Sequence, residues 1–218
     1  MTRPIKAVIF DMDGLLLDTE KLYFQGYRQA RTTLGLAAHD DGFLDLIGLP
    51  MDAGWAKLRT QMGDLTDQFA AQWDREISQL MTHDIPVKPG VTAMVTQLQS
   101  RNLPYAIATS TKTTKARNHL SRAGLGGLFD TILGGDQVAN GNPAPDIYLH
   151  AAATLGIPAQ HCAAFEDSEN GVRAAVAAGM ITVQIPDIKP PSTALRALGH
   201  HVSPTLLDGA TLLNLMET

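Results

Sequence analysis

The 218-residue chain is 44% hydrophobic, enough to bury a sizeable core as one large domain or as a domain carrying an insertion. Its net charge of −5, from 17 basic against 22 acidic residues, includes no basic run that would follow a phosphate backbone, so nucleic acid is excluded as an expected partner. The single cysteine, Cys162, excludes an intramolecular disulfide and a cysteine zinc cluster and reads as a small buried apolar residue in reducing surroundings.

The first element is an apolar run, Ala7–Phe10, within the stretch IKAVIFDMDGLLLDTE. It ends in two carboxylates spaced two apart, Asp11 and Asp13, followed by Gly14, and alternation puts both on one face of an extended strand end. Two negative charges at the tip of a buried strand are costly without a cation to join them. No apolar run reaches ~18 residues, and MTRPIKAVIF enters this strand without a cleavable signal pattern, so a cytoplasmic protein with no membrane partner is expected.

From Thr19 the spacing turns helical over residues 19–36 and 48–80, with no strand between them. Leu22, Tyr23, Tyr27 and Ala30 share one stripe; Phe69, Trp73, Ile77 and Leu80 share another and read as helix–helix core. Asp64 and Thr66 are expected to cap between two of these helices. The PVKPG stretch at 86–90 marks a boundary, giving an expected α/β core of residues 1–17 and 86–218 and an inserted helical cap of residues 18–85.

Beyond it, helices alternate with short β-like runs. Helices are predicted over 91–100, 115–124, 146–155 and 171–178, and strands over 105–109, 131–133, 163–165 and 181–185, with Gly124, Gly156 and Gly179 stopping three of the helices. Such alternation implies a Rossmann-like, mainly parallel sheet with helices on both faces, whose ligands bind beyond the carboxyl ends of the strands.

Three further polar clusters follow apolar runs or open a helix. Thr109, Ser110, Thr111 and Lys112 follow YAIA and either hold phosphate oxygens or cap the next helix. Glu166, Asp167 and Ser168 follow 163–165. Beside Asp11 and Asp13 they would bring four carboxyl groups to one mouth, which calls for a hard divalent cation, most simply Mg²⁺. Asn170 and Gly171 read as a tight turn, and GNPAPD at 141–146 as a rigid loop that Asp146 caps or starts into a helix. The seven histidines show no ligand spacing and read as surface or capping residues.

Taken together, DMDGLLLDTE, ATST, GNPAPDIY and EDSENGVRAA resemble, in order and spacing, the haloacid dehalogenase superfamily, in particular its β-phosphoglucomutase-like phosphatase branch with a small helical cap. The resemblance implies that Asp11 is a nucleophile forming an aspartyl-phosphate and Asp13 the general acid/base. It implies that Thr109 binds the transferring phosphoryl group, and that Glu166 and Asp167 complete a Mg²⁺ shell with the Asp11 carboxylate and the Asp13 backbone carbonyl. The implied substrate is a small phosphorylated metabolite, a sugar or nucleoside monophosphate, handled by a monomer or weak homodimer.

Two positions depart from that pattern. The family's loop reads GKPAPD, and Asn142 replaces its lysine with an uncharged amide, which weakens charge stabilisation. Either Lys112 or Lys88 reaches the site instead, or the chain is a slow or non-catalytic phospho-ligand-binding member. Mutases of the branch carry histidine where this chain has Tyr23, so the wording favours phosphatase over phosphosugar mutase. Tyr23, Tyr27, Arg28, Arg31, Trp55 and Lys57 are the cap residues weighed as substrate contacts.

Overall fold

All four residues of Ala7–Phe10 (β1) are buried, and a strand covered on both faces belongs in the middle of a parallel sheet. The computed structural model describes residues 4–47, 51–188 and 190–216. They divide into two units, Met1–Asp18 with Ile85–Thr218, and Thr19–Asp84.

In the first unit β1 is followed by Val91–Ser100 (α5), Tyr105–Thr109 (β2), Thr113–Arg122 (α6), Ile132–Gly134 (β3), Asp146–Thr154 (α7), Cys162–Glu166 (β4), Glu169–Ala177 (α8) and Ile181–Gln184 (β5). Thr193–Arg196 (α9), His201–Val202 (β6) and Leu206–Leu212 (α10) complete it. The sheet runs β3-β2-β1-β4-β5-β6 with every pair parallel, so the predicted α/β class holds. Phe10 sits in register with Ile107 on one side and Phe165 on the other. The chain runs outward from β1 in both directions, and ligands of such sheets bind at that reversal.

Small residues let helices approach this sheet. Ala163 and Ala164 of β4 and Ala174 and Ala175 of α8 are fully buried, and Ile9, Ala108, Ala151 and Cys162 share one cluster with Ala164, Ala174 and Ala175. Burial raises the Cys162 thiol to about 11, consistent with an inert packing residue. Phe10 stacks on Phe165 at 5.7 Å and meets Phe129 edge-on at 6.3 Å.

The second unit holds Thr19–Thr33 (α1), Asp40–Leu44 (α2), Met51–Met62 (α3) and Thr66–Leu80 (α4). Tyr27, Ala30, Phe43, Leu58, Met62 and Phe69 form its core, with Tyr27 against Phe69 at 5.2 Å. The helix predicted from residue 48 starts within the described residues at Met51; residues 48–50 lie outside them. Asp64 and Thr66 do not cap. The junction stays helical through the 3₁₀ turn Gly63–Leu65, no side chain caps α4, and the Thr66 hydroxyl donates back to the Gly63 carbonyl at 2.6 Å.

Helix starts come two residues earlier than predicted in α6 and α8, because the polar residues read as loop form the first turn. Gly171 is therefore inside α8, not in a turn. Among the described residues, no helix is long and apolar enough to cross a membrane.

Candidate active site

The tips of β1, β2 and β4 carry the polar residues singled out in the sequence. Asp11 follows β1 directly, its N–H bonded to the Phe165 carbonyl at 3.0 Å, and it is only 7% exposed. Burial first, then the Glu166, Asp167 and Asp13 carboxylates, hold its carboxyl well above the usual range, opposed by the Met12 N–H. No lysine or arginine figures among these dominant influences.

Asp13 leads into a tight turn in which the Gly14 N–H donates to the Leu17 carbonyl at 2.8 Å. Its carboxylate is taken up by the loop after β2: the Thr111 hydroxyl donates to Oδ2 at 2.7 Å, and Thr109 Oγ1 lies 3.4 Å from the same oxygen. Thr109 Oγ1 also accepts the Thr111 N–H at 3.1 Å. A carboxylate held by hydroxyls is placed to exchange a proton with a bound group.

Glu166, at the tip of β4, is 1% exposed and both its oxygens are engaged. The Tyr148 hydroxyl donates to Oε1 at 3.0 Å, and the Ser168 N–H and hydroxyl donate to Oε2 at 2.8 and 3.0 Å. Tyr148 lies on α7 inside the GNPAPDIY segment, and sequence reasoning missed its hydroxyl; a buried tyrosine needing a partner was the available signal. The four carboxyl groups expected at one mouth do come together, since Glu166, Asp167 and Asp13 all act on Asp11. Among the described residues no three His, Cys, Asp or Glu side chains are grouped closely enough to hold a metal ion by themselves, and the Asp13 and Glu166 carboxylates are engaged by Thr111, Tyr148 and Ser168.

Two glycines set how close these carboxylates come to the backbone. A Cβ on Gly14, whose φ is +87°, would lie 2.4 Å from Asp167 Oδ2, and one on Gly171 would lie 1.4 Å from Glu166 Oε1. Gly171→Ala must expel Glu166 from its three hydrogen bonds, and a loss of about 2–4 kcal/mol in urea unfolding is expected. Gly127→Ala, with nothing within 4 Å of the added carbon, serves as the control.

The donor set is oxygen only and carries an excess of negative charge, which fits a hard divalent ion. Mg²⁺ binds through one or two carboxylates and keeps its remaining positions for water and phosphate, so it does not require a side-chain cluster of three. Burial also raises Glu166 from 4.5 to about 7. Between those values the folded state binds more protons than the unfolded one, so stability falls as pH rises through this window, by about 3 kcal/mol for this group. Asp11 acts in the same direction. Metal-free protein is expected to melt higher at pH 5.5 than at pH 8 by calorimetry, with added MgCl₂ raising the melting temperature more at pH 8.

The Asn142 side-chain oxygen, in the loop before α7, is buried with no hydrogen-bond donor among the described residues. Each of the two substitute lysines has another acidic neighbour. Lys88 is clamped between Asp187 at 2.5 Å and Asp18 at 3.3 Å. Lys112 is exposed at the start of α6, where its charge acts on Asp136. His119, read as a surface residue, is instead buried on the inner face of α6; burial lowers its pKa, opposed by Asp13.

Within the helical unit, Tyr27 is core, Arg28 pairs with Asp40 at 3.4 Å, Lys57 with Asp45 at 2.8 Å, and Arg31 donates to the Ala37 carbonyl at 2.6 Å. These four serve the fold. Tyr23 and Trp55 instead line a cavity.

The sequence profile of the haloacid dehalogenase-like hydrolases matches residues 8–185. A Thermotoga maritima protein named phosphorylated carbohydrates phosphatase is 35% identical over 81% of this chain and 82% of its own length. A Drosophila melanogaster protein described as a pseudouridine-5′-phosphatase is 32% identical over 85% of this chain and 83% of its own. A crystal structure from Thermotoga maritima described as a β-phosphoglucomutase superposes with a TM-score of 0.81 at 31% identity, covering 98% of this chain and all of the other. With its β1 and β4 carboxylates at the sheet's reversal point and these relatives along nearly its whole length, the chain belongs to the haloacid dehalogenase-like hydrolase family, among its β-phosphoglucomutase-like members.

Proposed function

We propose that the protein is a Mg²⁺-dependent phosphatase that hydrolyses a small phosphate monoester through an aspartyl-phosphate on Asp11. The observation that carries this reading is Asp11 itself: a buried carboxylate at the tip of the central strand, pressed by three others. The Asp11 carboxylate, Asp167 and the Asp13 backbone carbonyl would hold the ion, with Glu166 fixed beside them by Tyr148 and Ser168. When bound, the ion neutralises the charge of Asp11 and of the phosphate it attacks.

In the first half-reaction an Asp11 oxygen forms the bond to phosphorus as the ester oxygen leaves, and Asp13 gives its proton to that oxygen. Asp13 then takes a proton from the water that attacks phosphorus, and the acyl-phosphate bond breaks to release phosphate and restore Asp11. The Thr109 and Thr111 hydroxyls keep Asp13 turned toward the reacting oxygen, and Thr109 offers its hydroxyl to the phosphoryl group. Colorimetric phosphate release from a panel of sugar and nucleoside monophosphates, with MgCl₂ and with EDTA, tests the reading. The absence of Mg²⁺-dependent release from every ester would sink it.

Asn142 supports a second reading, a member that binds a phosphorylated ligand without turning it over, since an uncharged amide stands where the family pattern has lysine. Thermal stabilisation by phosphate esters without release distinguishes it.

A further inference from the structure

The β4–β5 ladder ends one residue before Asp167. Its last register pair is Glu166 with Gln184, and the Ile185 N–H closes it on the Glu166 carbonyl at 2.7 Å. Beyond that pair a side chain takes over: the Gln184 carboxamide nitrogen donates to the Asp167 carbonyl at 3.0 Å. Gln184 is 2% exposed and is the last residue of β5, in register with Glu166 of β4 on one side and Val202 of β6 on the other. Its own carbonyl takes the Ser203 N–H at 2.9 Å, so the backbone that carries the carboxamide is fixed on both sides.

A carboxamide can be turned either way round, and here one sense alone serves. The Asp167 carbonyl accepts and cannot donate, so the NH₂ group must face it and Oε1 must face the other way. There Oε1 meets His200 Nε2 at 3.0 Å, in the segment between α9 and β6. The ring must then carry its hydrogen on Nε2. His200 Nδ1 is buried with no hydrogen-bond partner among the described residues, and burial, with Arg196 and His201 nearby, lowers the pKa of the ring. A neutral imidazole thus holds the carboxamide in the sense that Asp167 needs. The Asp167 carboxylate in turn lies against the turn after β1, where Gly14 leaves room for Oδ2.

We infer that Gln184 is a positioning residue of the metal site: its carboxamide, oriented by His200, fixes the main chain that presents the Asp167 carboxylate to the ion. The inference rests on the reading of Asp167 as a ligand of Mg²⁺. Methionine has nearly the same length and would fill the position, but it donates nothing to Asp167.

Mn²⁺, whose free ion is counted by electron paramagnetic resonance, is titrated into the protein without substrate. Partners behind a metal ligand are worth about 10- to 100-fold in affinity, so Gln184→Met is expected to raise the Mn²⁺ dissociation constant about tenfold or more. Thr182→Val is the control. It removes a buried hydroxyl two residues earlier on the same face of β5, bonded at 3.4 Å to the Met180 carbonyl, and should lower the urea midpoint without changing Mn²⁺ affinity. His200→Leu is expected to weaken Mn²⁺ binding about threefold or more, and His200→Gln, which restores an Nε2 donor, to recover it. In phosphate release, Gln184→Met should need more MgCl₂ for half-maximal rate by the same factor, with turnover at saturating MgCl₂ within about threefold of the parent.

Unchanged Mn²⁺ affinity in folded Gln184→Met, or an equal loss in Thr182→Val, overturns the inference and leaves the phosphatase reading standing. If Gln184→Met does not fold, the His200 pair decides: loss in His200→Leu with recovery in His200→Gln supports the inference, and unchanged affinity in His200→Leu overturns it. A parent that binds no Mn²⁺ overturns the metal reading and this inference together.

Discussion

Asp11→Asn is expected to lower Mg²⁺-dependent phosphate release by about 10⁴-fold or more, because an amide oxygen neither attacks phosphorus nor holds the cation as a carboxylate does. The same change should stabilise the metal-free protein. Asp11 is buried, and its charged form is disfavoured by burial and by Glu166, Asp167 and Asp13 in turn. A neutral isostere removes that repulsion while leaving the backbone bond from Asp11 N–H to Phe165 in place. In metal-free buffer at pH 8 the variant should therefore melt above the parent, and MgCl₂ should raise its melting temperature much less than the parent's. Loss of activity with loss of stability would point instead to Asp11 as a structural residue.

How far the sequence disclosed this arrangement follows from which forces act locally. The strand Ala7–Phe10 and its terminal Asp11 are legible because a fully apolar run ending abruptly in charge fits a buried strand whose tip reaches the surface of the sheet, and the same holds for Cys162–Glu166. Elements of two to seven residues, α2, α9, β6 and α10, carry too few periods to register, and tertiary contacts define them. The direction of each carboxylate was not legible. Whether the Asp13 carboxylate meets the Thr111 hydroxyl depends on a loop 98 residues away, and the clamp on Lys88 depends on Asp187, 99 residues away. Gly171 misled for a related reason: the composition of a turn and the need to let Glu166 pass over a helix both select glycine.

The site thus divides its carboxylates by what they touch. Asp13 and Glu166 are tied by hydroxyl and N–H donors, which fixes their orientation without neutralising them. For Asp11 the Met12 N–H favours the charge, against burial and three carboxylates. A cation and a positively charged side chain are the two remaining ways to offset it, and the second is absent where the family pattern has lysine.

Asn142→Lys is therefore expected to raise the turnover number, by about 100-fold, since a charged donor facing the developing negative charge is worth about 3 kcal/mol at such sites. The fold should tolerate it. Asn142 Oδ1 is buried with no donor among the described residues, so the exchange breaks no hydrogen bond to that atom, and the flanking residue Gly141 is exposed. Turnover and KM are to be separated by steady-state assay on the best ester of the panel: a lysine that acts on the transition state raises the former with little change in the latter. An unchanged or lower turnover number would mean that the charge is already supplied from elsewhere. A parent that binds esters without releasing phosphate, beside a variant that releases it, would identify the natural protein as a phospho-ligand binder held inactive by one residue.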